Sequence, residues 1–238
     1  MAGAMNRMEA IVLAGGFGTR LAGRLDGVPK PMASVAGKPF LEILLAQLER
    51  AGCARAILSV GYLHEVIEKH FGAQFGGVEI DYAVEHAPLG TGGAIRNALS
   101  VAREESVLVL NGDTFLDADY AAMMRFHEEQ STSLTMAVTH RADIARYGGV
   151  TIDGMRVTGF QEKGRAGEGW INAGAYAIQK EMAWPASAGE KFSFETDFLV
   201  PQVAAIAPAA YAVQGFFLDI GVPEDLDRAQ TELVPFAR

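Results

Sequence analysis

Short, unbroken apolar runs alternate with amphipathic stretches through the first half of the chain. Residues 10–14 contain no polar position and read as a strand covered on both faces. After Pro39, the apolar residues Phe40, Ile43, Leu44, Leu48 and Ala51 recur at helical spacing, and Gly52 supplies the stop. Residues 56–60 form the next buried strand, 63–71 a short helix ended by Gly72, 78–84 a third strand and 107–110 a fourth. Strand and helix in alternation predict an α/β, Rossmann-like, mostly parallel sheet with helices on both faces. On such a sheet ligands bind beyond the carboxyl ends of the strands.

From Ser133 the texture changes. Apolar stretches at 134–139, 149–152, 157–161 and 170–178 are separated by Gly and Asp turns, which predicts a second sheet region laid against the first as an extension. Asp117 and Asp119 are placed to cap the helix carrying Met123, Met124 and Phe126, and Ser193 to cap one with Glu195 and Asp197 in its first turn. Pro201 should end or kink that helix. The run from Gly215 predicts a buried strand ending in Asp219, with Pro223 at the first position of a last helix.

Composition narrows the class. At 238 residues, half of them apolar, the chain can bury a sizeable core. No apolar stretch has the length of a membrane span, and the first eight residues lack the apolar core of a signal peptide, so 1–7 read as a loose tail. Cys53 stands alone, which excludes an intrachain disulfide and suits packing; a cytoplasmic location follows. A net charge of -9 argues against nucleic acid as a partner, and no membrane partner is expected. A phosphorylated small substrate is compatible with that charge if the few cations converge beside carboxylates.

Four places carry candidate chemistry, all at strand ends. Gly15, Gly16 and Gly18 follow the first strand and leave backbone N–H groups open to an anion, Arg20 adds a cationic fork, and Pro29-Lys30-Pro31 holds a second cation nearby. The dinucleotide fingerprint does not fit, since Leu21 stands where its third glycine belongs and no helix opens there; no Gly-Lys-Ser/Thr follows for a P-loop. The stretch 85–95 leaves a strand and enters a helix at Thr91 or Gly92, and its glycines would admit a flat base. Asp113 ends the fourth strand and Asp219 a later one. The five histidines, His64, His70, His86, His127 and His140, fall on helices or loops and are expected to be solvated.

These residues resemble the signature of the sugar-1-phosphate nucleotidyltransferases: Leu13, Gly15, Gly16, Gly18, Thr19, Arg20 and Leu21, then Pro29 and Lys30. The resemblance covers nearly the whole chain and implies a glycosyltransferase-A-like fold. It implies one domain over 8–238, with a nucleotide-binding half (8–130) and a β-rich sugar-phosphate half (131–238). Leu13, Gly15, Gly16, Gly18, Thr19, Glu85, Gly90, Thr91 and Asn111 would then bind nucleotide. Tyr147, Gly148, Glu162, Asn172 and Gly174 would hold the sugar, and Asp113 and Asp219 would hold Mg2+. Arg20, Lys30 and Lys163 would take the charge of the leaving pyrophosphate, the α-phosphate and the attacking phosphate.

The base loop departs from the family pattern at Ala87, its usual position for glutamate. Glu85 falls where related thymidylyltransferases carry a base-contacting glutamine. An ionised carboxylate only accepts hydrogen bonds and matches the adjacent N1–H and N2–H2 donors of guanine, so GTP is the expected nucleotide. Within the family, the segments 30–45, 192–199 and 216–226 resemble D-glycero-α-D-manno-heptose 1-phosphate guanylyltransferases of bacterial surface polysaccharide pathways. The alternatives are a mannose-1-phosphate guanylyltransferase, an N-acetylmuramate or hexose 1-phosphate uridylyltransferase, and a non-catalytic sugar-nucleotide sensor. Small relatives of this kind often dimerise, which allows a homodimer.

Overall fold

The computed structural model describes residues 7–16, 18–25, 27–184 and 189–237; the side chains of Thr19 and Ala22, and six of the seven residues of the expected tail, lie outside what it describes. In chain order the strands are β1 (Glu9–Leu13), β2 (Ser34–Val35), β3 (Lys38–Pro39), β4 (Arg55–Val60), β5 (Gln74–Phe75), β6 (Val78–Val84) and β7 (Ser106–Asn111). They continue as β8 (Thr114–Leu116), β9 (Leu134–Arg141), β10 (Gly149–Asp153), β11 (Arg156–Gln161), β12 (Gly169–Gln179), β13 (Ala209–Val213) and β14 (Phe217–Asp219). The α-helices are α1 (Phe40–Arg50), α2 (His64–Phe71), α3 (Gly90–Leu99), α4 (Tyr120–Glu129), α5 (Val200–Ile206) and α6 (Pro223–Glu232).

Ten of the strands form one sheet in the order β10-β11-β13-β9-β12-β7-β1-β4-β6-β5. Its run β7-β1-β4-β6 is parallel, with Ile11 opposite both Ile57 and Val109. β12 then enters antiparallel between β7 and β9, so the expected second sheet is a continuation of the first. Because β12 opposes both neighbours, β9 runs in the same direction as β7. The carboxyl ends of β1, β4, β6, β7 and β9 therefore share one edge.

Unbroken apolar runs are explained by the two cores. Ala10 and Val12 face the layer holding Leu44, Leu48, Met123 and Leu226, whereas Ile11 faces Ile57, Ile95, Phe194 and Phe198. Successive residues of a strand point to opposite faces, and both faces here are covered by helices. Fully burying each such side chain is worth about 1.5–3 kcal/mol. The Pro201 expectation resolves into a change of helix type: Phe194–Leu199 is a π-turn, capped by Ser193 accepting from the Thr196 N–H, and Pro201 sits in the first turn of α5.

Candidate active site

The glycine loop closes over Lys30. Gly18 adopts φ 62°, and a Cβ there would stand 2.9 Å from Cβ of Lys30, so a larger residue would push the two segments apart. Pro29 precedes a single 3-10 turn, Lys30–Met32, that buries Lys30 to 8 % exposure. Its Nζ donates to Oδ2 of Asp113 at 2.5 Å. A second 3-10 turn, Thr19–Arg24, follows the loop where no helix was expected, and it carries an exposed Arg20 that forms no ion pair among the described residues.

A cavity of about 540 Å³ opens at the carboxyl edge of the sheet. It brings together Leu13, Gly15, Gly16, Lys30, Glu85, Gly90, Thr91, Asn111 and Asp113 from the ends of β1, β6 and β7, the Lys30 turn and the start of α3. Gly61 and Tyr62 also line it and were not singled out; their signal was the same one, a glycine at the end of a buried strand. Glu85 forms part of the wall. Its two carboxylate oxygens accept from Ser59 Oγ (3.3 Å) and the Leu89 N–H (3.1 Å), and a Cβ on Gly15 would stand 2.9 Å from Oε1. Gly112 is required by close approach of the backbone, since a Cβ there would meet the Leu13 carbonyl oxygen at 2.3 Å.

Asp113 and Asp219 are neighbours. β14 pairs with β8 so that Asp219 lies opposite Thr114, and the Ile220 N–H donates to the Asp113 carbonyl at 2.9 Å. Burial, and next the charge of Asp113, push the Asp219 carboxyl above the usual carboxylate range. Among the described residues no cluster of three or more His, Cys, Asp and Glu side chains is gathered to hold a metal. Two adjacent carboxylates without further protein ligands fit Mg2+, which binds through one or two carboxylates and completes its shell with water and substrate phosphates.

The residues expected on the sugar side lie outside the lining of that cavity. Tyr147 meets Phe217 edge to face at 5.5 Å, and Gly148, at φ 84°, packs on the Gln161 carbonyl. Glu162 and Lys163 are exposed on the adjoining turn. Asn172 is held on every side: its amide donates to Tyr176 Oη at 2.7 Å and Glu195 Oε2 at 2.9 Å, and its carbonyl accepts from the Gly174 N–H at 3.1 Å. Glu195 was read only as a helix-end charge. Gly174, at φ 73°, approaches the Asn111 amide in that lining.

A strap ties the base loop to Glu195. Phe192 donates its N–H to the Leu89 carbonyl, Gly92 donates to Phe192, and the Phe194 N–H donates to Thr91 Oγ1, each at 2.8–2.9 Å. Two histidines depart from expectation, and His140 does so only in lying on a strand, β9. His127 is 1 % exposed, with Nδ1 sharing a 2.9 Å hydrogen bond with Thr135 Oγ1, because its position on α4 faces β9.

The chain matches the family model described as nucleotidyl transferase over residues 9–234. It is 42 % identical to the D-glycero-alpha-D-manno-heptose 1-phosphate guanylyltransferase of Aneurinibacillus thermoaerophilus, over 95 % of this chain and 98 % of that one. Identity to the enzyme of the same name from Campylobacter jejuni is 40 %, over 92 % and 96 % of the two chains. The crystal structure of HddC from Yersinia pseudotuberculosis complexed with GMP-PN superposes with a TM-score of 0.82 at 36 % identity, covering 95 % of this chain and 99 % of that one. With a phosphate-suited glycine loop, Lys30 on Asp113 and Asp219 beside it, all within the matched span, the chain belongs to the nucleotidyl transferase family.

Proposed function

We propose that this enzyme transfers GMP from GTP to D-glycero-α-D-manno-heptose 1-phosphate, giving GDP-heptose and pyrophosphate, with Mg2+ as its metal. The observation that carries the choice of base is Glu85, an acceptor-only side chain in the cavity wall. The choice of sugar rests on the names of the two relatives above. A single, buried cysteine suits a reducing compartment, and we assign the reaction to the cytoplasm.

The attacking phosphate oxygen is already anionic near neutral pH, so no general base is needed. The work of the site is to bring two polyanions together and to stabilise charge moving onto pyrophosphate. Backbone N–H groups at Gly15 and Gly16 cradle the triphosphate, Lys30 bears on the α-phosphate, Arg20 takes charge on the leaving group, and Lys163 approaches the acceptor. Mg2+, held by Asp113 and Asp219, would supply Lewis-acid polarisation of the α-phosphoryl group. Asn172, fixed by Glu195 and Tyr176, orients the sugar.

The test is pyrophosphate release across four nucleoside triphosphates and a panel of sugar 1-phosphates, with Asp113→Ala as the blank. Release is expected with GTP and mannoheptose 1-phosphate. Preference for UTP or dTTP would overturn the role of Glu85; preference for mannose 1-phosphate would overturn the sugar.

A further inference from the structure

Two guanidinium groups near Asp219 have no part in the reaction as described. Arg141 is the last residue of β9 and leaves the sheet at the edge where Asn111 and Asp113 stand. Its guanidinium carbon lies 5.5 Å from the centre of the Phe217 ring. Phe217 precedes Asp219 by two residues in β14, so ring and carboxylate share a face of that strand, about 7 Å apart along it. Arg141 is half-buried and forms no ion pair among the described residues. A cation partly removed from water, stacked on an aromatic face and lacking a counter-ion is suited to an incoming anion.

Arg146 is anchored instead. Its Nη1 pairs with Asp225, a 4 % exposed carboxylate whose other oxygen accepts from Arg228 Nη1 at 2.9 Å. Its Nη2 lies 3.9 Å from Asp219 Oδ2, too far for a hydrogen bond, so that edge of the fork is open to an oxyanion. The guanidinium covers Tyr147 at 5.2 Å, and Tyr147 meets Phe217 at 5.5 Å. The two touching rings thus carry one arginine each, beside the same metal-binding carboxylate.

We infer that Arg141 and Arg146 seat the phosphate of the acceptor sugar 1-phosphate, Arg141 by direct contact and Arg146 through its open edge. The inference rests on the nucleotidyl-transfer reading proposed above and deepens it. Nucleotide phosphates reach the site from the other side, over Gly15, Gly16 and Lys30 in the cavity, whereas this arginine pair belongs to the ring pair on the sugar side. A phosphomonoester dianion presents three oxygens to such a pair and matches its planar forks.

The experiment is calorimetric titration of the full chain, wild type, Arg141→Gln and Arg141→Lys, in MgCl2. The ligands are α-D-mannose 1-phosphate as a phosphomonoester probe, GTP, and pyrophosphate as the alternative source of phosphate. Arg141 has no ion pair to lose, and the thermal shift given by GTP reports whether each variant is folded. The expected result is at least tenfold weaker binding of mannose 1-phosphate to Arg141→Gln, partial recovery in Arg141→Lys, and GTP and pyrophosphate affinities within twofold of wild type. Equal affinity for mannose 1-phosphate in wild type and Arg141→Gln overturns the inference. So does absence of saturable mannose 1-phosphate binding to the wild type, and so does a loss that falls equally on pyrophosphate. An error in the base assignment would instead show as a missing GTP response in all three proteins, with the sugar phosphate titrations still separating them.

Discussion

Nζ of Lys30 lies 2.5 Å from Oδ2 of Asp113, so the cation proposed for phosphate and the carboxylate proposed for metal neutralise each other at the cavity wall. On that proposal, lysine and metal compete for one carboxylate until nucleotide gives the ammonium another anion. Lys30→Met should bind Mn2+ more tightly than wild type in the absence of nucleotide, as measured by electron paramagnetic resonance. Its rate should still fall by a factor corresponding to about 3–4 kcal/mol of barrier, the scale of a preorganised electrostatic contact. Unchanged or weaker Mn2+ affinity would show that Lys30 does not restrain Asp113.

Glu85→Gln exchanges a pure acceptor for a side chain that also donates. The Leu89 N–H can still donate to the carbonyl oxygen, and the new amide N–H can donate to Ser59 Oγ, so the fold should tolerate the change. Loss of a charge-assisted hydrogen bond of about 1.5–3 kcal/mol should lower kcat/KM for GTP roughly ten- to a hundredfold and that for UTP much less. Competition between the two triphosphates reads this directly. An equal loss for both would make Glu85 a support of the loop and not a reader of the base.

The parallel half of the fold was legible because residues buried on two faces leave unbroken apolar runs, as Ile11 and Val12 do toward opposite cores. Strand-end glycines and carboxylates likewise pointed to the cavity. What could not be read was pairing across long separations. β12 joins β7 and β9 into one sheet through backbone hydrogen bonds that no side-chain pattern records, and so the second sheet region was expected against the first and not in register with it. Glu195 on Asn172 and Arg146 on Asp225 are contacts between segments 23 and 79 residues apart, and each looked locally like an ordinary helix-end or turn charge. His127 was misread as solvated because α4 has a mixed composition, and only its packing against β9 decides which face is covered.

The strap over the base loop makes Gly92 a sharp test. In a helix interior alanine is favoured over glycine by about 0.8–1.0 kcal/mol, yet a Cβ on Gly92 would stand 2.2 Å from Cε2 of the Phe192 ring. Overpacking of that kind costs about 1–3 kcal/mol, so the clash outweighs the propensity. Gly92→Ala should lower the urea midpoint and, by displacing Phe192 from its hydrogen bonds to Leu89 and Gly92, weaken GTP binding as well. A variant more stable than wild type would mean that the strap lifts away without cost.

Stability should fall on mild acidification, and His127 supplies part of the fall. Burial holds its imidazole below the ordinary value of 6.5, Nδ1 is shared with Thr135, and Nε2 is buried with no partner among the described residues. Protonation in the folded state would place a charge and an unpaired donor in the core, so the unfolded chain takes up the proton first. As pH drops through about 6.5 the unfolded state binds more protons than the folded one, and the free energy of unfolding declines until the folded-state pKa is passed. Above that window the contribution is fully present. His127→Asn keeps a polar partner near Thr135 but removes the titrating ring. It should be less stable than wild type at pH 8, and the gap should narrow between pH 6.5 and 5, because other groups titrate alike in both proteins and cancel in the difference. Parallel urea-midpoint curves across that range would show that His127 takes up its proton in the fold as readily as in the unfolded chain.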